Sequence, residues 1–344
     1  MQKQYRKVAK ISLILVYLVI IAGAVVRMTG SGMGCPDWPK CFGYYVPPTD
    51  VSELQWQKNK AYKKGQVIIV NESLQVASES FKTSITYNSD NWIPYIKHDY
   101  AIFNVWHTWI EYINRLLGAL AGVATLVLAF FSLKYWKKKK VVTVFSWLVV
   151  IGMGFQAWLG ATVVYSVLEP VKITVHMVMA LIIVAMLLYL IFITGKASTK
   201  HIYRKEIVLL LSLTLGITLV QIVLGTQVRQ FVDEQIDIVG ENAKNLWLQN
   251  PLPQFYIHRS FSILVVLLNG YLAYTIYKAR LGFHKIKWVL SLILLEVITG
   301  MSMYYIDFPF GSQALHLVLA SLLFGLQFYL VLEALKSRRS PKTL

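Results

Sequence analysis

The sequence predicts an all-α integral membrane protein in which eight transmembrane helices form two pseudo-symmetric four-helix bundles. Three observations predict this fold. Hydrophobic residues make up 56% of the chain, apolar runs recur along it, and its second half repeats landmarks of its first. A helix needs roughly 20 apolar residues to cross a hydrocarbon core about 30 Å thick, and these runs have that length.

The apolar runs divide the chain into eight spans and two halves. We expect the spans at 8–28, 106–133, 141–165, 171–193, 207–229, 255–277, 288–305 and 312–335. Because their number is even, both termini lie on one side of the membrane. We expect a first half at 1–200, with a long outer loop at 29–105, and a second half at 201–344. The first span is long enough to be kept as a helix, so no cleaved signal peptide is expected.

The basic residues predict the orientation of these spans. Most of the 34 lysines and arginines lie in alternate connections, which carry almost no acid. These segments are the N terminus, 134–140, 196–205, 278–287 and the tail from Lys336. By the positive-inside rule they are cytoplasmic, together with both termini, in what we expect to be a bacterial plasma membrane. The net charge of +17 therefore needs no nucleic-acid partner to explain it.

Three landmarks occur twice in the same order, which indicates a duplication. Gly23 to Arg27 matches Gly225 to Arg229, Tyr112 to Arg115 matches Tyr256 to Arg259, and Gln156 to Gly160 with His176 matches Glu296 to Gly300 with His316. The recurring polar residues are mostly histidines within apolar helix. A site built twice from facing helices is the simplest interpretation.

The outer loop at 29–105 holds both cysteines, Cys35 and Cys41. Their short spacing in a proline-rich turn predicts a disulfide, which persists on the oxidising side of the membrane. It could be a staple or a redox-active thiol pair, and the sequence favours neither. The rest of the loop is expected to form a partly ordered cap, with a strand-like segment at Val67–Val70. The matching connection of the second half, at about 230–254, is much shorter.

Four histidines lie within the predicted spans, near the outer end of even-numbered helices: His107, His176, His258 and His316. Polar residues inside a membrane are costly and usually functional, although a lone histidine can also serve as a hydrogen-bonding group between helices. His258 and His316 can face each other across the second bundle. We expect no thiolate or carboxylate at their depth, so the pair suits the axial positions of a haem iron better than tetrahedral zinc.

The first half departs from this pattern at two positions. Asn114 takes the place of His258, while His176 keeps the place of His316, so one axial ligand is missing. His107 lies about 10 Å further along the helix axis, which favours a role at the rim. Glu111 lies on the same helical face as Asn114, where the second half has Phe255. Its carboxylate is either a solvated acid at a helix start or a catalytic group.

Arginines near the outer ends of the helices are candidates to pair with haem propionates. These are Arg27, Arg229 and Arg259. Ordinary snorkelling of long basic side chains to the interface explains them equally well.

With these motifs in view, the whole chain resembles the haem A synthase family. The segment from Arg27 to Cys41 carries the most specific resemblance, and Glu111 to Arg115 is similar to the family's Glu-x-x-His-Arg motif, with Asn114 where histidine is usual. His176, His258 and His316 fall where the family keeps histidines.

The resemblance implies a division of labour between the halves. It places a low-spin haem b between His258 and His316, and haem o as substrate in the first half, at His176, Asn114, His107 and Arg115. Oxidation of a porphyrin methyl group to a formyl group, through alcohol and gem-diol stages, would give haem A for cytochrome oxidase assembly, and Glu111 would be essential. The implied partners are the membrane enzyme that makes haem o, an electron donor and a second copy of the chain.

Two other classes of protein compete with this interpretation. A cytochrome b-like, quinol-linked electron-transfer protein would also need paired histidines, but Asn114 breaks the expected set of four. A transporter would also show internal repeats, but its polar residues usually lie at broken helices near the midplane.

Overall fold

The computed structural model describes residues 2–98, 101–195 and 201–337. Within these ranges it contains eight long helices, all long and apolar enough to cross a bilayer. They are α1 (Gln2–Met28), α2 (Val105–Ser132), α3 (Lys140–Tyr165), α4 (Pro170–Ile193), α5 (Lys205–Val239), α6 (Pro253–Lys278), α7 (Ile286–Tyr305) and α8 (Ser312–Ser337). The predicted all-α membrane fold is confirmed. The predicted cytoplasmic residues at 196–200 and 338–344, with Met1, Asp99 and Tyr100, lie outside the described residues.

Helix α5 is the element that differs most from its predicted span. It was expected to end near Arg229, but it continues to Val239. The extension is stabilised by packing, because the buried Val232 contacts a cluster that includes Trp247 and Phe308. The connection expected at about 230–254 therefore begins as helix.

The helices pack as two rings of four. In the first half α1 contacts α2 and α4, and α3 contacts α2 and α4; in the second half α5, α6, α7 and α8 make the matching contacts. The halves meet where α8 contacts α1 and α4, and where α4 contacts α5. A duplication predicts this pattern of neighbours. The pseudo-symmetry of the halves and their division at residue 200 stay predictions.

The connection between α1 and α2 is more ordered than expected. It contains β1 (Ala61–Tyr62), β2 (Val67–Val70), β3 (Ser73–Ala77), β4 (Phe81–Lys82) and β5 (Trp92–Pro94). Strands β1 and β4 pair antiparallel, and β3 lies between β2 and β5 in a second antiparallel sheet. The predicted strand at Val67–Val70 is confirmed as β2. Because it packs around a buried aromatic cluster that includes Tyr62 and Trp92, this segment has a small core of its own.

Candidate functional sites at the loop end of the two bundles

A large cavity opens in the first half, at the end of the molecule that carries the α1–α2 connection, here called the loop end. Its volume is about 1450 Å³. It brings together every first-half residue that the sequence singled out as a binding or catalytic candidate. These lining residues are Arg27, His107, Glu111, Asn114, Arg115 and His176. Arg229 of the second half also lines it, so the cavity reaches the boundary between the halves.

The same contact between a glycine and a site residue recurs four times. A methyl group added at Gly225 of α5 would lie 3.2 Å from the His258 ring, and one added at Gly300 of α7 would lie 3.6 Å from the His316 ring. In the first half, a methyl group added at Gly160 of α3 would lie 3.6 Å from the His176 ring, and one added at Gly23 of α1 would lie 3.9 Å from Asn114 Oδ1. The repeated glycines therefore give each site residue room beside a neighbouring helix.

The two histidines of the second half face each other across the bundle. The ring centres of His258 and His316 lie 6.4 Å apart, with the ring planes at 73°. Two imidazoles bonded to opposite sides of one metal ion, each at about 2 Å, have ring centres roughly 6 Å apart. The spacing therefore fits two axial ligands of one ion. Gln221 of α5 holds the α6 backbone at this level by donating to the His258 carbonyl oxygen at 2.9 Å.

The His316 ring is oriented by two partners on α7. Its Nδ1 lies 2.9 Å from Glu296 Oε2 and 2.8 Å from Thr299 Oγ1. Because a carboxylate can only accept a hydrogen bond, Nδ1 carries the proton and Nε2 is the nitrogen left to bind a metal. The expectation that this half has no carboxylate at the depth of its histidines is wrong. Glu296 contacts Nδ1 only, so it leaves Nε2 of the His316 ring available.

The first half has a different environment around its histidine. Gln156 of α3 takes the place of Glu296, and its Nε2 donates to the His176 carbonyl oxygen at 2.9 Å. Among the described residues, His176 Nδ1, Gln156 Oε1 and Asn114 Oδ1 are buried atoms without a hydrogen-bond partner. The three residues line the cavity, and in the second half His258 Nδ1 and Gln221 Oε1 are likewise buried without a partner.

Glu111 is buried beneath the disulfide loop, at residues 34–43. The predicted bond between Cys35 and Cys41 is present. Glu111 Oε2 accepts a hydrogen bond from the Cys35 backbone N–H at 2.8 Å, and Oε1 pairs with Arg115 one turn along α2. Thr108 Oγ1 donates to the Gly34 carbonyl oxygen at 2.7 Å. The carboxylate thus joins the loop to the helix that lines the cavity.

Arg115 fixes the far side of the same loop. Its guanidinium donates to the carbonyl oxygens of Asp37 at 2.6 Å, Lys40 at 2.8 Å and Cys35 at 3.0 Å. Asp37 lies inside the loop and accepts a hydrogen bond from the Gly43 N–H at 2.8 Å. Burial raises the pKa of Asp37, although the Gly43 hydrogen bond and the Arg115 charge oppose that rise.

The three candidate propionate arginines have different surroundings. Arg27 of α1 and Arg229 of α5 both pair with Asp233, at 2.9 Å and 2.5 Å. All three residues line the cavity, and the two arginines share one carboxylate between α1 of the first half and α5 of the second. Arg259 instead lies over the rings of Phe255 and Tyr256, 5.8 Å and 5.5 Å from their centres. Its cation–π contacts are those of an interfacial side chain.

Sequence reasoning missed four polar residues of these sites: Gln156, Gln221, Asp233 and Glu296. Gln156 and Glu296 begin the very strings that identified the repeat, and Gln221 lies four residues before its glycine just as they do. This spacing places each residue one turn from the glycine, on the same face. The repeat therefore contains a signal for these residues as well as for the histidines. Asp233 was not predicted as a site residue because α5 was expected to end before it.

The fold and the sites define an integral membrane protein with a histidine-containing site in each of two helix bundles. In the part of the chain that the structure describes, no group of three or more His, Cys, Asp or Glu side chains is arranged to hold a metal ion. A model of the cytochrome oxidase assembly protein family matches residues 6–328, and the chain belongs to that family.

Curated relatives carry a more specific name. The Heme A synthase of Ehrlichia canis is 23% identical over 343 residues, which cover 92% of this chain and 89% of the relative. That of Bacillus licheniformis is 23% identical over 361 residues, covering 98% and 99%. That of Shewanella oneidensis is 26% identical over 183 residues, which cover 53% of this chain and 43% of the relative's own length.

Proposed function

We propose that this protein is a haem A synthase, which oxidises a methyl group of haem o to a formyl group and so supplies haem A for cytochrome oxidase assembly. The observation that carries the proposal is the contrast between two sites built on one plan. The second half pairs two imidazoles, whereas the first has an imidazole at only one of the two matching positions, His176, beside a cavity of about 1450 Å³. Relatives named Heme A synthase that align over nearly the whole chain support it.

The second half is proposed to hold haem b between His258 and His316. The ring spacing of 6.4 Å fits two axial ligands, and Glu296 presents Nε2 of His316 by holding its Nδ1. A haem whose iron has both axial positions filled exchanges electrons without binding substrate. The protein's part is to hold both rings and to set the electron-donating strength of His316.

The first half is proposed to bind haem o, with His176 as the ligand from the protein. Asn114 offers an amide in place of a second imidazole, so one side of the bound porphyrin stays accessible. His107 and Arg115 contribute to the rim of the same cavity. Asn114, Gln156 and His176 all line this cavity, which supports a bound molecule at this level.

Glu111 is proposed as the catalytic acid or base for the methyl group. It lines the cavity one turn before Asn114, where the second half has Phe255. A positioned carboxylate can accept or return the protons that an oxidation releases. Its contacts with Cys35 and Arg115 hold the side chain in place and tie its position to the disulfide loop.

The remaining assignments concern orientation and partners. Arg27, Arg229 and Arg259 are proposed to pair with propionates, the first two through the positive charge left beside Asp233. The charge pattern supports cytoplasmic termini and an outer disulfide loop in a bacterial plasma membrane. Proposed partners are the membrane enzyme that makes haem o, an electron donor and a second copy of this chain.

Expression in cells that make haem o but no haem A tests the proposal. Haems extracted from these cells should include haem A, and the purified protein should show the spectrum of a low-spin haem b. The matched control is the same strain with an empty vector. Absence of haem A would reject the activity, and a purified protein without any haem absorption would reject both sites.

A further inference from the structure

The first-half cavity does not end at the residues discussed so far. An apolar arm continues from Asn114 along α2 towards the opposite end of the bundle. It is lined by Gly118, Ala119, Gly122 and Leu126 of α2 and by Gly154 and Ala157 of α3. From Asn114 to Leu126 the helix advances about 18 Å. The arm is therefore a long apolar groove that is open to the outside of the bundle, because Ala119, Leu126, Gly154 and Ala157 are exposed.

The glycines of the arm leave real space. A methyl group added at Gly118, Gly122 or Gly154 would meet no atom within 4 Å. These glycines differ from Gly23 and Gly160, where an added methyl group would lie close to Asn114 or His176. The three glycines of the arm are not explained by packing against a neighbouring helix.

The second half provides an internal comparison, because the repeat pairs each position of the arm with a counterpart. Gly118, Ala119 and Gly122 correspond to Ser262, Ile263 and Val266, while Gly154 and Ala157 correspond to Leu294 and Val297. All five counterparts are larger. Only Leu126, at the far end of the arm, corresponds to a smaller residue, Gly270.

We propose that the apolar arm holds the isoprenoid tail of the substrate porphyrin and so makes the first half selective for haem o over haem b. The inference rests on the proposed function. The two haems differ in one substituent, which in haem o is a long farnesyl-derived hydrocarbon chain. The half assigned to haem b has larger side chains where the half assigned to haem o has the arm. Asn114, Gln156 and His176 line the cavity at the head of the arm, where the porphyrin would sit.

The arm selects the substrate by its shape. Moving the tail from lipid into the arm gains little hydrophobic free energy, because lipid chains are as apolar as the walls of the arm. A tail held in the arm fixes the rotation of the porphyrin in its own plane, so that one methyl group faces Glu111. Filling the arm forces the tail out and moves the porphyrin away from His176. A porphyrin without a tail is unaffected by the filled arm.

Transplanting second-half residues into the arm tests this proposal. Gly122→Val and Gly154→Leu fill the arm, and both replace glycine with a better helix former. Gly216→Leu on α5 is the matched control, because Gly216 has the same open surroundings and lies outside the cavity lining. Ala157→Val is a milder second variant. Haem o and haem b are titrated separately into the purified full-length protein with its second-half haem retained.

The expected result is a loss of affinity for haem o of at least tenfold in the arm variants, with affinity for haem b within about twofold of wild type. Unchanged haem o affinity would overturn the proposal. Equal losses for both haems would overturn it too, because they would indicate that the whole first-half cavity is deformed. Loss of co-purified phospholipid with haem o binding intact would assign the arm to a lipid chain instead. Haem A production by the wild type separates the two claims, because its absence rejects the proposed function whatever the arm variants do.

Discussion

The two halves share a backbone plan and differ in the side chains that decide chemistry. In both, a glycine from a neighbouring helix lies against each site residue, which preserves space for a planar ligand between facing helices. The second half adds a second imidazole and a carboxylate behind His316; the first has Asn114 and Gln156 at these positions. The difference teaches that, on the same pattern of helix contacts, a few side chains distinguish the two sites.

The loop ends of the halves differ as well. In the first half, Glu111 and Arg115 connect α2 to the disulfide loop through hydrogen bonds to its backbone. In the second half the position of Glu111 is Phe255, which stacks on Tyr304 at 5.6 Å. The disulfide loop, held by polar contacts, thus lies over the site proposed to react. The Phe255–Tyr304 ring contact lies at the corresponding end of the site proposed to transfer electrons.

The largest effect is expected from removing a second-half ligand. His258→Ala or His316→Ala should abolish the low-spin haem signal, because one imidazole cannot fill both axial positions. His176→Ala is the matched control and should leave that signal unchanged while weakening retention of the substrate porphyrin. Absorption and electron paramagnetic resonance spectra of the purified variants check this. An unchanged low-spin signal in both second-half variants would show that His258 and His316 are not the ligands of this haem.

Restoring the repeat should close the first site. In Asn114→His an imidazole would lie near Gly23, as His258 lies near Gly225. We expect a second six-coordinate signal when haem o is bound, and a fall in haem A production of roughly tenfold or more, since the open face of the porphyrin is lost. Asn114→Gln keeps the amide and serves as the control. A five-coordinate spectrum in Asn114→His would contradict the correspondence of the two positions.

A smaller effect is expected from the carboxylate behind His316. Glu296→Gln replaces a charged acceptor with a neutral one, so the oxidised haem loses stabilisation and its reduction potential rises. A loss of roughly 1 kcal/mol corresponds to about 40 mV for a one-electron couple. Thr299→Val removes the neutral partner of the same nitrogen and should shift the potential less. Redox titration measures both, and a fall in potential for Glu296→Gln would contradict the account.

The smallest effect concerns the disulfide loop. Because burial raises the pKa of Asp37, the folded loop binds a proton more tightly than the unfolded chain does. Asp37 therefore favours folding most below its unfolded pKa of about 4, and this contribution is lost as pH rises through its folded pKa. Asp37→Asn keeps an acceptor for the Gly43 N–H and should weaken the pH dependence. The Tm of the wild type and of Asp37→Asn is measured against pH. Identical profiles would exclude Asp37 as the source of the pH dependence.

The sequence predicted much of this arrangement because its physical signals are local. Span length and charge alternation located all eight helices, and a short cysteine spacing predicted the bond between Cys35 and Cys41. The repeat also selected residues that the fold does bring together, such as Glu111, Asn114 and His176. Contacts that depend on tertiary packing were out of reach. The extension of α5, and with it Asp233, depends on packing against Trp247 and Phe308, and no periodicity reveals that Arg115 binds three loop carbonyls.

The measurement that tests the central claim most directly is the haem content of cells expressing Glu111→Gln. The glutamine keeps an acceptor for the Cys35 N–H but loses the charge. We predict that haem o or a hydroxylated product accumulates and that haem A falls at least a hundredfold, while the purified variant keeps its low-spin haem b spectrum. Arg115→Lys, which loosens the loop but leaves the carboxylate, should retain more activity; an equal loss would mean that Glu111 only positions the loop. Normal haem A production by Glu111→Gln would contradict the assignment of the first half as the reacting half.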